Sequence, residues 1–147
     1  MKKITRIRSL AFTLLAAAIL FTALGSALHA EKTELGDKMK ALGKNLKLVK
    51  AQIADPAKQQ STVGLLESAK TNAEAAKKLT PSRTKEVPEA DRAKFLSGYQ
   101  AQIGKLVDDL GKIEAAVKAG KYDDAKKLFA DLGTVKREGH EKFAPKD

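Results

Sequence analysis

Two residues stand out for the chemistry their side chains can do. Past residue 30 the chain holds one methionine, Met39, and one histidine, His140. A thioether sulfur and an imidazole nitrogen together suit the two axial positions of haem iron, the soft sulfur favouring Fe(II). Zinc and calcium need more ligands than this pair supplies. No cysteine occurs, which removes disulfides, thiolate metal sites and covalent haem attachment through C-x-x-C-H. Both residues also have ordinary uses. A methionine on an apolar helix stripe fills core, and a histidine near a helix C-terminus is favoured at the surface by the helix dipole. Spacing alone does not settle which use applies.

Hydrophobic spacing defines the elements that must position them. Leu35, Met39, Leu42, Leu46, Val49 and Ile53 step by four and three, one stripe on a first helix. Asp55-Pro56 ends it, and Asp55 suits the N-cap of the next helix with Pro56 at its first position. The second helix is predicted from about Pro56 to Thr80, with Val63, Leu66, Ala69, Ala73, Ala76 and Leu79 inward, large residues early and alanines late. Pro81 to Ala90 is the one long loop. The third helix is predicted from Asp91 to Ala119 on Leu96, Tyr99, Ile103, Leu106, Leu110, Ile113 and Val117, with Phe95 beside them. Gly120 stops it. The fourth starts near Tyr122, carries Ala125, Leu128, Phe129, Leu132, Val135 and Phe143, and closes at Ala144-Pro145. No β-type alternation occurs past residue 30. The fold class is therefore all-α, an antiparallel up-down-up-down four-helix bundle.

In that topology the start of helix one, the end of helix two, the start of helix three and the end of helix four meet. They bring together Leu35, Met39 and Leu42; Ala73, Ala76 and Leu79; Phe95, Leu96 and Tyr99; and Val135, Gly139, His140 and Phe143. Met39 lies about five residues from one helix end and His140 about three from another, so their depths match at a rise of about 1.5 Å per residue. On an ideal wheel His140 falls within roughly 20° of Phe129 and is expected to point inward. The small residues Ala73, Ala76 and Gly139 leave space there.

The N-terminus carries Lys2, Lys3, Arg6 and Arg8, then an apolar run from Leu10 to Leu24, then Gly25, Ser26 and Ala27. This is the three-part pattern of a secretory signal peptide, here residues 1–30, cleaved after Ala27 or Ala30. Residues 31–147 then form the bundle domain. An uncleaved anchor is the competing reading of the same run. Without residues 1–30 the chain keeps 24 basic residues against 18 acidic, a charge of +6. Export and the spread of lysines along helix faces argue against nucleic acid as a partner.

With these residues in place, the sequence resembles the soluble cytochrome b562 family from Leu35 to Phe143. Leu35-Gly36-Asp37-Lys38-Met39-Lys40-Ala41-Leu42, followed by Asn45-Leu46-Lys47, is similar to the family's first helix with its ligand methionine. Lys136-Arg137-Glu138-Gly139-His140-Glu141-Lys142-Phe143 is similar to the last helix with its ligand histidine. Phe95-x-x-Gly98-Tyr99 resembles the aromatic pair at the start of helix three, and Ala119-Gly120-Lys121-Tyr122 the turn into helix four. The sequence departs at Gly139, where the family often has an aromatic residue, and at Lys136, where an arginine precedes the histidine by one turn. The resemblance implies a periplasmic b-type cytochrome with one non-covalent haem b, axial ligands Met39 and His140, and haem-packing aromatics Phe95 and Tyr99.

The expected function is electron transfer with no open iron position, and so no enzyme activity. Leu42, Lys136 and Phe143 complete the expected cofactor-binding set; Lys136 and Arg137 are candidates to meet a propionate, with a simply solvated position as the alternative. Expected partners are periplasmic redox proteins, with no nucleic acid and no stable membrane insertion after signal removal; the expected state is a monomer. Two rivals remain open: a haem-free binding or chaperone-like bundle, and a five-coordinate gas-binding haem protein.

Overall fold

The computed structural model describes residues 33–145. The expected signal peptide and both cleavage positions lie outside them. Among the described residues there are four α-helices: α1 Glu34–Gln52, α2 Gln59–Lys77, α3 Glu89–Lys118 and α4 Tyr122–Phe143.

Each boundary has a local cause. Thr33 caps α1, its hydroxyl accepting from the Gly36 amide at 3.1 Å. Asp55 accepts from the Ala57 amide at 2.9 Å with Pro56 next, but this cap starts only a 3-10 turn, Pro56–Lys58. The second α-helix therefore begins three residues later than the sequence suggested, at Gln59. The expected long loop contains a second 3-10 turn, Ser82–Glu86, and α3 starts directly after Pro88. At the α3–α4 corner Gly120 takes φ +69, a left-handed conformation that favours glycine.

Side-chain bonds fix the order of the helices. Asn45 meets Ser68 and Gln52 meets Ser61, which sets α2 antiparallel to α1. Tyr99 meets Ala76 and Gln59 meets Val117, which does the same for α2 and α3. Gln102 meets Val135 and Phe95 meets Phe143, which reverses α4 against α3. The result is the up-down-up-down bundle. Backbones pack closely along α1–α2, α2–α3 and α3–α4, whereas α1 and α4 make hardly any close backbone approach.

The core is graded along its length. Val49, Leu66, Leu110, Ile113, Val117 and Ala125 are fully enclosed toward the end where α3 turns into α4. Toward the other end α2 contributes only Ala69, Ala73 and Ala76 to the enclosed layer, beside Leu42, Tyr99 and Val135, while Leu35, Met39, Leu79, Phe95, Leu96 and Phe143 stay half-buried.

Candidate functional site

The part-exposed end holds the residues that the sequence singled out. Met39 sits in the second turn of α1, half-buried against the core. His140 sits in the last turn of α4 and is exposed. The wheel alone put His140 inward. It lies instead at the margin of the apolar stripe, because the stripe's centre at this end is held by Val135 and Phe143.

Helical geometry gives the side on which each residue stands. Asn45 and Gln52 mark the edge of α1 that meets α2. At about 100° per residue, Met39 is about 120–140° round from that edge, at the far margin of the core-facing stripe. On α4, the Cβ direction of Gly139 meets Gln102 of α3 at 3.5 Å. His140 is about 100° further round, beyond the core stripe. Met39 and His140 therefore both lie on the flanks turned toward the α1–α4 seam, the one seam without close backbone packing. Lys136, one turn before His140, shares its flank and is exposed.

Beside the seam stands an aromatic group. Phe143 packs edge-on against Phe95, centroids 5.1 Å apart, and against Tyr99 at 5.6 Å. The Tyr99 hydroxyl donates to the Ala76 carbonyl at 2.7 Å, and burial pushes its pKa up to about 12. A groove between the start of α3 and the end of α4 runs along Phe95, Gly98 and Phe143, edged by Lys94 and Lys142. Leu42 lies one turn below Met39, buried in the core. So Phe95, Tyr99 and Phe143 are brought into contact, Leu42 and Met39 share the apolar face of α1, and Lys136 stays in solvent.

Two polar residues at this end escaped the sequence reading. Arg83, in the 3-10 turn after α2, donates through Nη1 to the Glu141 carbonyl at 2.8 Å and the Lys142 carbonyl at 2.7 Å. Together with the Ala144 amide on the His140 carbonyl at 3.0 Å, it serves carbonyls that a helix end leaves unpaired. Gln102 donates to the Val135 carbonyl at 2.9 Å, with its side chain beneath Gly139. No sequence pattern marks either bond, since each joins segments far apart in the chain.

The donor set suits a metal already held in a macrocycle. Among the described residues no three of His, Cys, Asp or Glu stand together as a metal site. One thioether and one imidazole on opposite sides of a loose apolar seam fit an iron porphyrin, whose ring nitrogens supply the remaining ligands.

Comparison with known proteins gives the same direction. A family model described as cytochrome b562 matches residues 34–144, from the first residue of α1 to the cap of α4. No curated protein matches the chain. The match takes in all four helices, both residues at the seam and the aromatic group beside it, and the chain belongs to the cytochrome b562 family, haem b-binding four-helix bundles that carry electrons.

Proposed function

We propose that this chain is an exported electron carrier of the periplasm, with Met39 and His140 as the two axial ligands of one non-covalent haem b. What supports the reading is that helical geometry turns both residues toward the α1–α4 seam, the adjacent helix pair among the described residues with the fewest close backbone approaches. Residues 1–30, basic then apolar then small, support export.

Bound haem supplies a one-electron couple between Fe(III) and Fe(II). The chain's own residues set its surroundings. Met39 presents a soft sulfur from a rigid helix, and His140 a nitrogen from the last turn of another. Phe95 and Phe143, both half-buried, would offer apolar surface that keeps water from a porphyrin, with Tyr99 packed against Phe143 and Leu42 buried one turn from Met39. Lys136 offers a cation to a propionate on the open side. Met39 and His140, both carried on helices, would hold the iron with little movement between redox states. That favours electron transfer over substrate chemistry.

The test is a haem titration of residues 31–147, with ferric and ferrous absorption spectra. The expected result is saturation at about one haem per chain with sharp low-spin bands, lost in both Met39→Ala and His140→Ala. High-spin bands that survive Met39→Ala would replace this reading with a five-coordinate, gas-binding one. No specific uptake would overturn haem binding altogether.

A further inference from the structure

Charge is distributed unevenly among the four helices. α2 carries two basic and two acidic residues, α3 five of each, and α4 five of each. α1 carries five lysines, Lys38, Lys40, Lys44, Lys47 and Lys50, against Glu34 and Asp37 alone. Both acids sit in its first turn, so from Lys38 to Gln52 the helix is purely basic. Four of the fourteen described lysines outside α1 are ion-paired: Lys70 meets Glu114 at 3.0 Å, Lys118 meets Glu67 at 3.2 Å, Lys112 meets Asp109 at 2.8 Å, and Lys126 meets Asp123 at 2.6 Å. Among the described residues, none of the five lysines of α1 makes an ion pair.

Their placement is also specific. Lys40 and Lys47 stand on the side of α1 next to the seam flank, within about 100° of Met39, and Lys44 lies between them along the helix. Lys50 shares the flank of Met39 itself. Across the seam, Lys136 and Arg137 of α4 continue the basic margin, Arg137 having only a loose pairing with Glu141 at 3.9 Å. Unpaired like charges along one helix cost stability through mutual repulsion. Balanced helices elsewhere in the same chain show that this cost is local to one face.

We propose that the lysine face of α1, beside the α1–α4 seam, is the docking surface for an acidic redox protein that exchanges electrons with this carrier. The proposal rests on the electron-carrier reading above. A carrier must meet its partner quickly and leave it quickly. A single-sign face next to the redox site raises the encounter rate without the buried apolar contacts that would slow release. Lys40, Lys44 and Lys47 are exposed, span about 10 Å along the helix and lie within two turns of Met39.

The probe is flavodoxin, an acidic one-electron donor. Its hydroquinone is mixed with the haem-loaded ferric protein in a stopped-flow instrument at rising ionic strength. The test variant is Lys40→Gln/Lys44→Gln/Lys47→Gln. The control, Lys58→Gln/Lys121→Gln/Lys127→Gln, changes net charge equally on other surfaces. The expected result at low salt is a roughly tenfold slower reduction of the test variant, a change under twofold for the control, and a flatter salt dependence for the test variant alone. Equal effects of the two variants, or none, would overturn the proposal. So would wild-type binding to anionic phospholipid vesicles, lost in the test variant, with flavodoxin rates unchanged; that result would assign the face to a membrane surface. An NMR titration of the haem-free chain with oxidised flavodoxin separates the two readings. Shifts confined to α1 support docking even if haem uptake fails, and shifts spread over all four helices count against it.

Discussion

Arg83 and Lys142 are joined by a 2.7 Å hydrogen bond from guanidinium to main-chain carbonyl, two residues beyond His140. The same Nη1 also reaches the Glu141 carbonyl. A cation from the α2–α3 connection thus lies on the negative end of the α4 dipole and holds the last turn in place. Arg83→Ala is expected to cost about 1 kcal/mol of stability and to fray that turn first. Hydrogen exchange checks it: the Ala144 amide, bonded to the His140 carbonyl, should exchange several-fold faster while amides in the middle of α2 change only with global stability. Arg83→Lys should recover part of the protection, since it keeps the charge but loses the fork.

Tyr99 gives the fold an alkaline limit. Its hydroxyl is buried and bonded to Ala76, and its pKa is pushed up to about 12 by burial. A raised folded value means that the contribution is complete below the unfolded value near 10 and is lost as pH climbs from there toward 12. Urea unfolding of wild type between pH 9 and pH 12 should show stability falling by roughly 1–3 kcal/mol more than in Tyr99→Phe. At pH 7 Tyr99→Phe should be about 1 kcal/mol less stable than wild type, for the lost bond.

Glu114 sets the acid side. It is buried between α2 and α3. Burial alone would raise its pKa, but hydrogen bonds from Lys118 and Lys70 outweigh that and hold the carboxyl below its ordinary value. A lowered folded value gives stability that is present above about pH 4.5 and is lost as pH falls through the folded pKa. Glu114→Gln should lose about 1 kcal/mol at pH 7 and show a flatter acid limb in thermal melts from pH 5 to pH 2.

Two glycines should respond oppositely to one methyl group. A Cβ on Gly139 would meet only Gln102 Cγ, at an ordinary 3.5 Å. Gly139→Ala should therefore gain about 0.5–1 kcal/mol through helix propensity. Gly120 has open space but φ +69, so Gly120→Ala should lose about 1–2 kcal/mol. Differential scanning calorimetry should show melting points moving apart by several degrees.

The bundle and the order of its helices are legible because apolar residues in α1 and α3 keep a strict three-and-four step and those of α4 from Ala125 to Val135 stay on one face. Phe95, Tyr99 and Phe143 were found as a group for the same reason: topology brings helix ends together. The start of α2 was misread because Asp55-Pro56 nucleates a 3-10 turn as readily as an α-helix, and only packing of Thr62 and Leu66 sets where the longer helix begins. An ideal wheel points His140 inward because it places it within roughly 20° of Phe129, whereas at this end of α4 Phe143 fills the apolar face against Phe95 and Tyr99 and leaves His140 exposed. Arg83 and Gln102 are invisible in the sequence, since each acts through a partner more than 30 residues away, and for Glu114 only the i,i+4 pairing with Lys118 is readable, not the one with Lys70.

The loose seam joins the first helix to the last, the only neighbouring pair with no connecting segment between them. Three seams are tethered by the polypeptide itself; the fourth joins its two outer helices and can part without stretching any link. Residues 39 and 140 are 101 positions apart. A group bonded to both closes a ring of that size. It would then act as a non-covalent counterpart of a disulfide, removing open-chain conformations worth up to about 5 kcal/mol in the chain-entropy limit. The redox centre and the clasp that keeps the ends together would be one object.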